Sequence, residues 1–125
     1  MGFSVTWHVE KEVIDLKVFG TVTSEDIMAL NLKTMDYINA SIQPAHLIID
    51  TLDVTTYPTN LRWVLRLLKN NPIHPTGWNI LVQNNPTVCV LAGTILSVLR
   101  VPLHVCTTLE DSENFLETTV YRRAS

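Results

Sequence analysis

The sequence predicts an α/β domain: an open, mostly parallel five-stranded sheet with an N-terminal antiparallel hairpin strand and about four helices. Three observations predict it. Two runs of period-2 alternation, Val5-Trp7-Val9 and Ile14-Leu16-Val18, are separated only by the polar Glu10-Lys11-Glu12, which makes them an antiparallel hairpin. After the first helix, strand-like and helix-like segments alternate three times, which implies parallel pairing through right-handed crossovers. No internal repeat or low-complexity stretch interrupts this order, so residues 1–125 are expected to form a single domain.

Taken in order, Ser4 to Val9 is the first strand and Ile14 to Val18 the second. Thr23 can cap a helix and Asp26 can answer it from the third helical position, so a helix is expected from Ser24 to about Ala40 with Ile27, Leu30, Thr34, Met35 and Ile38 on one face. Leu47-Ile48-Ile49 lacks alternation, as a central strand covered on both faces does, and should end at Asp50. Thr51 to Pro58, rich in Thr and Asp, reads as a loop, followed by a second helix from Leu61 to Lys69. Trp78 to Val82 is the next strand. Asn85 then caps a third helix with Pro86 at its first position, running to Leu99. Leu103 to Cys106 is the last strand, and Thr108 opens a helix to about Thr119 that should bury Leu109, Phe115 and Leu116.

Composition narrows the function classes. Nine Lys and Arg against twelve Asp and Glu give a net charge of −3, which argues against nucleic-acid binding by phosphate neutralisation. The start of the chain has no basic region followed by an apolar one, the longest apolar run (Val88 to Leu99) is about half a bilayer span, and Cys89 and Cys106 form no framework. A cytoplasmic protein with no transmembrane segment is expected, its two thiols reduced and packed.

The local strings Trp7-His8-Val9-Glu10 with Val13-Ile14, Phe19-Gly20-Thr21-Val22-Thr23-Ser24-Glu25-Asp26, and Leu47-Ile48-Ile49-Asp50, in this order, resemble the STAS family. The resemblance is nearest to its SpoIIAA-like branch of anti-sigma-factor antagonists, a fold shared with CRAL-TRIO lipid-binding domains. It implies a non-enzymatic regulatory or protein-interaction module; the CRAL-TRIO kinship implies, as the alternative, a carrier or sensor of a lipid or fatty acid. In the antagonists, a serine in Asp-Ser-Ser-Gly at a helix start is phosphorylated. Here Thr59 and Asn60 fall near the two serines, Pro58 replaces the acid and Leu61 the glycine. Thr59 is the one candidate phosphoacceptor, and no stoichiometric phosphorylation is expected on it.

Catalytic signatures are absent: no G-x-S-x-G, no S-x-x-K and no Gly-rich phosphate loop. His8, His46, His74 and His104 lie about thirty or more residues apart, without metal-ligand spacing. Neither enzymatic activity, nor a cofactor, nor a metal is therefore expected. Cys89 near a helix N-terminus could be an activated thiolate, but Val88, Val90 and Leu91 around it favour a packed neutral thiol.

Three features remain as binding candidates. Asp50 and Asp53, with Thr55, Thr56, Thr59 and Asn60, lie where open parallel sheets bind ligands, beyond the carboxyl ends of strands; either Asp could instead cap a turn through its own backbone. Arg62, Arg66 and Lys69 form a basic stripe beside Trp63, a solvated face or a surface for an acidic partner. The third helix is apolar nearly all round and must be covered on more than one side. Its stripe Val88, Leu91, Ile95 and Leu99 is assigned to the core, and Val90, Gly93, Thr94 and Ser97 to an interface, with a homodimer expected there.

Overall fold

The computed structural model describes residues 2–56, 77–98 and 102–121, together with Arg62 and Arg66. Its strands are β1 (Gly2–Val9), β2 (Val13–Thr21), β3 (His46–Thr56), β4 (Asn79–Val82) and β5 (Leu103–Cys106), in the spatial order β1-β2-β3-β4-β5. β1 is antiparallel to β2, and every later pairing is parallel, as alternation along the sequence predicts. The described helices are α1 (Ser24–Ala40), α2 (Pro86–Val98) and α3 (Leu109–Leu116), the last continued by one wide i→i+5 turn, Glu117–Tyr121. Of the segment expected as a helix from Leu61 to Lys69, Arg62 and Arg66 are helical and exposed; Trp63, Lys69 and the rest lie outside the described residues, as does His74.

Local chemistry sets each boundary. The hairpin turns on Lys11 at φ 62°, with Glu12 N–H donating to the Val9 carbonyl at 3.0 Å; one residue in the left-handed region lets a short loop follow the strand twist. α1 begins with a full capping box: Thr23 Oγ1 accepts from Asp26 N–H at 3.2 Å, and Asp26 Oδ2 accepts from Thr23 N–H at 2.8 Å, satisfying two of the donors a helix start leaves open. α2 is capped by Asn85 Oδ1, which accepts from Thr87 N–H at 3.0 Å, and α3 by Thr108 Oγ1, which accepts from Asp111 N–H at 3.1 Å.

The sheet is buried on both faces. One face holds Val5, Ile14, Leu16 and Leu47, packed under Ile38 of α1 and Ala45, with Leu30 and Tyr37 beside them. The other holds Val13, Ile48, Ile80, Val82 and Cys106 under Leu116, with Phe115 and Tyr121 alongside. Leu47 and Ile48 thus serve opposite faces, which is why that run shows no alternation. Each fully buried Val, Ile and Leu among them contributes roughly 1.5–3 kcal/mol by leaving water. Phe115 anchors α3 twice, stacked on His104 with ring centroids 3.7 Å apart and edge-on to Trp78 at 5.1 Å.

Two expectations are corrected. β3 does not end at Asp50: it runs on through Thr56, paired along β2 from Phe19↔Asp53 to Thr21↔Thr56. The β-branched Thr51, Val54, Thr55 and Thr56 suit a strand, and β2 is long enough to partner them, so the part of the expected loop from Thr51 to Thr56 is strand, and Tyr57 and Pro58 lie outside the described residues. Leu109 is exposed rather than buried; as the first residue of α3 it lies on the turn facing solvent, while Phe115 and Leu116 carry the packing.

Candidate functional site

The end of the molecule at which β3, β4 and the start of α2 meet is organised by Gln83, a residue only 3% exposed. Its Nε2 donates to Thr51 O at 2.9 Å and to Thr51 Oγ1 at 3.0 Å. Its Oε1 accepts from the N–H groups of Asn84 and Asn85, both at 2.9 Å. Thr51 Oγ1 donates in turn to Val82 O at 2.9 Å, and Gln83 N–H to Cys106 O at 3.0 Å. One amide therefore joins the middle of β3 to the loop that starts α2, with each of its polar atoms satisfied as a buried amide requires. Cys89, half-buried one turn into α2, donates its thiol proton to Gln83 O at 3.4 Å. Burial pushes the Cys106 thiol up, with Asp111 adding to it.

The two members of the acidic pair sit in different surroundings. Asp50 is 5% exposed, and its Oδ1 accepts from Leu52 N–H at 3.1 Å, the local backbone turn that Asp favours. Asp53 is exposed and reaches Lys17 Nζ at 3.5 Å, a solvent-screened pair of small energetic value. Both lie inside β3 rather than beyond it. Asp15 on β2 was missed by sequence reasoning. One of its oxygens, Oδ1, is buried without a hydrogen bond among the described residues. Burial raises its pKa, with the Asp50 charge adding to the effect and His8 and Lys17 opposing it.

Thr55 and Thr56 are exposed at the end of β3, and Thr56 O accepts from Val22 N–H at 2.7 Å. Thr59 and Asn60, which continue that end in sequence, lie outside the described residues. On α2, Thr87, Val90, Thr94 and Ser97 are exposed, Val90 at 67%, and Thr94 Oγ1 donates to Val90 O at 2.7 Å. Gly93 departs from the stripe assigned to it. A Cβ there would meet Leu103 Cδ2 at 3.9 Å, an ordinary van der Waals contact, so Gly93 sits where the helix passes over β5. Val88 and Leu91 are half-buried, while Leu99 and the side chain of Ile95 lie outside the described residues.

His46, at the start of β3, is part of the scaffold, since its Nδ1 accepts from Trp78 N–H at 2.9 Å. Burial lowers its pKa, partly opposed by Glu12, so it holds this bond as a neutral imidazole. Among the described residues no three or more His, Cys, Asp or Glu gather as a metal site, and no helix is long and apolar enough to cross a membrane.

No family model matches the chain, and no curated protein matches it in sequence. Solved structures do. The anti-sigma factor antagonist SpoIIAA in its unphosphorylated form superposes with a TM-score of 0.63 at 17% identity, covering 95% of this chain and 99% of that one. An uncharacterised protein of the DUF3478 family from Shewanella loihica PV-4, with a SpoIIAA-like fold, superposes with a TM-score of 0.65 at 11% identity, covering 92% of each chain. Superposition over more than nine-tenths of the chain at these TM-scores shows that the chain has a STAS/SpoIIAA-like fold.

Proposed function

We propose that this protein is a non-enzymatic, cytoplasmic regulatory module of the STAS/SpoIIAA type. It binds a protein partner through the end of β3 (Asp53, Thr55, Thr56, continuing to Thr59 and Asn60) and the outer face of α2 (Val90, Thr94, Ser97). The observation that carries the reading is the Gln83 network. It bonds Thr51, in the middle of β3, to Asn84 and Asn85 at the start of α2, so the strand that carries the hydroxyl-rich end and the helix that carries the projecting valine are fixed to one another at their bases. Asp50 and Cys89 each hold a backbone group and Asp53 pairs with Lys17 in solvent, and this supports recognition rather than chemistry. The resemblance to the antagonists supplies the partner class, a regulatory protein. Asn60, Pro58 and Leu61 in place of the family's switch residues imply that binding here is not governed by phosphorylation.

The test is native mass spectrometry of the protein from its host, followed by reconstitution of any complex from purified components. A protein partner whose affinity falls at least tenfold on Val90→Glu or Thr55→Lys supports the reading. A copurifying acyl species and no protein partner would replace it with the carrier alternative.

A further inference from the structure

The outer edge of β1 is unlike the edges that soluble domains ordinarily present. β1 spans eight residues, Gly2–Val9, at the margin of the sheet. It carries no Lys, Arg, Asp, Glu or Pro, and its only register shift lies beyond Trp7. Natural edge strands are normally shortened, charged, kinked or covered, because an open row of N–H and C=O groups pairs with any strand offered to it. Here the stretch from Gly2 to Trp7 is regular, uncharged and bonded, among the described residues, on its β2 side alone. Over the same edge, Phe3, Trp7, Leu30 and Tyr37 are only partly buried, with the Trp7 and Tyr37 rings 5.0 Å apart. β5, at the opposite margin, has four residues.

We infer that β1 pairs with β1 of a second copy, antiparallel about a two-fold axis at Val5, so that the two sheets become one. The occupant is a second copy because the strand complements itself. A two-fold at Val5 sets Phe3 against the partner's Trp7 on the α1 side of the sheet, and Ser4 against the partner's Thr6 on the other side. Aromatic and hydroxyl pairs directly opposite one another are the favourable cross-strand combinations, and no charge opposes a like charge. The area suffices. An eight-residue strand makes an edge about 27 Å long. With α1 above it, the margin is about 20 Å thick, and two copies bury about 1,000 Å² in all, the lower bound for a specific interface. Among the described side chains of α2 after Pro86, the exposed ones are hydroxyls around Val90 as the apolar member. This pairing leaves the β3 end and α2 free for a partner, and it stands or falls independently of what binds there.

The test exploits neighbours already present: within one chain Ser4 lies beside Lys17, and Thr6 beside Asp15. In the pair, each S4E carboxylate meets a partner T6K ammonium, so S4E/T6K should preserve or tighten the dimer. S4K/T6K and S4E/T6E place like charges directly opposite and should weaken it about a hundredfold. Sedimentation velocity across a concentration series gives the dissociation constants, and circular dichroism confirms folding. If either like-charge variant fails to fold, the other serves, and amide exchange of wild-type residues 3–7, slower at high protein concentration than at low, reports the same contact. A wild type monomeric at hundreds of micromolar overturns the inference. So does a dimer that both like-charge variants leave intact, which would place self-association elsewhere, α2 included.

Discussion

Replacing Gln83 with Leu probes the frame on which the functional proposal rests. The side chain is buried, and leucine fills most of its volume, so the substitution removes hydrogen bonds without opening a large cavity. Lost are the donations from Nε2 to Thr51 and the acceptances by Oε1 from Asn84 and Asn85. Thr51 Oγ1 keeps Val82 O as its acceptor, whereas the Asn84 and Asn85 N–H groups lose the partner they had. At about 1 kcal/mol net per bond, and more for a group left buried and unpaired, Q83L should cost about 2–4 kcal/mol. That is a large part of the roughly 5–15 kcal/mol typical of a domain this size. Urea unfolding should show it as a lower midpoint at unchanged slope. Thr51→Val alone should cost about 1 kcal/mol, and the double variant should cost less than the sum, because both changes remove the Nε2–Oγ1 bond. Amides at the start of α2 should exchange faster in Q83L than those of α1. A Q83L loss below about 0.5 kcal/mol, or full additivity with Thr51→Val, would refute the view that this amide holds β3 to α2.

Other outcomes follow from single features. Because His46 has a lowered pKa in the fold, the unfolded chain binds the extra proton first; stability from this group is complete above about pH 6.5 and is lost as pH falls through the folded value. His46→Asn, which keeps an acceptor near Nδ1, should flatten that slope in urea titrations between about pH 7 and 5. Asp15, with its raised pKa, is strained as a carboxylate at neutral pH. Asp15→Asn should therefore raise the unfolding midpoint at about pH 7 and give no gain at about pH 3, where the acid is already protonated. Gly77→Ala drives a Cβ into the His46 ring and should destabilise by about 1–3 kcal/mol, read by thermal melting. Val90→Glu should leave stability within about 0.5 kcal/mol. Intact mass after incubation with host anti-sigma-type kinases should show no stoichiometric phosphate on Thr59.

Much of the fold was legible because its signals are local. The alternation of β1 and β2, the Thr23–Asp26 box and the Asn85-Pro86 start each sit within a few residues and obey the rules that make such elements. The extension of β3 was not legible, since Thr and Asp signal turns by composition and only the presence of a long β2 beside them makes strand the better solution. The candidate site was less legible still. Gln83 is an ordinary glutamine before Asn-Asn-Pro, and its partner Thr51 is brought near only by the β3–β4 pairing. Asp50 and Asp53 stand out in the sequence as acids at a strand end, whereas their partners, Leu52 N–H and Lys17, become visible only with the register. The phase of α2 shows at Gly93, which faces Leu103 of β5 while Val90, Thr94 and Ser97 are exposed.

The uneven length of the strands has a mechanical consequence. β3 has eleven residues and β4 four, so among the described residues the last part of β3 continues as a two-stranded ribbon with β2. Its margin is irregular at Gly20–Thr21, where Gly20 takes φ 73°, an irregularity that bends and twists the ribbon. At its tip, the bond from Val22 N–H to Thr56 O ties the ribbon to the residue just before the Thr23 cap. The ribbon is thus a lever with its fulcrum at the sheet and its short arm on the first turn of α1. A protein that grips Thr55 and Thr56 would load that turn, and amide exchange at Ser24 to Ile27 would serve as a strain gauge for occupancy at a surface those residues never touch.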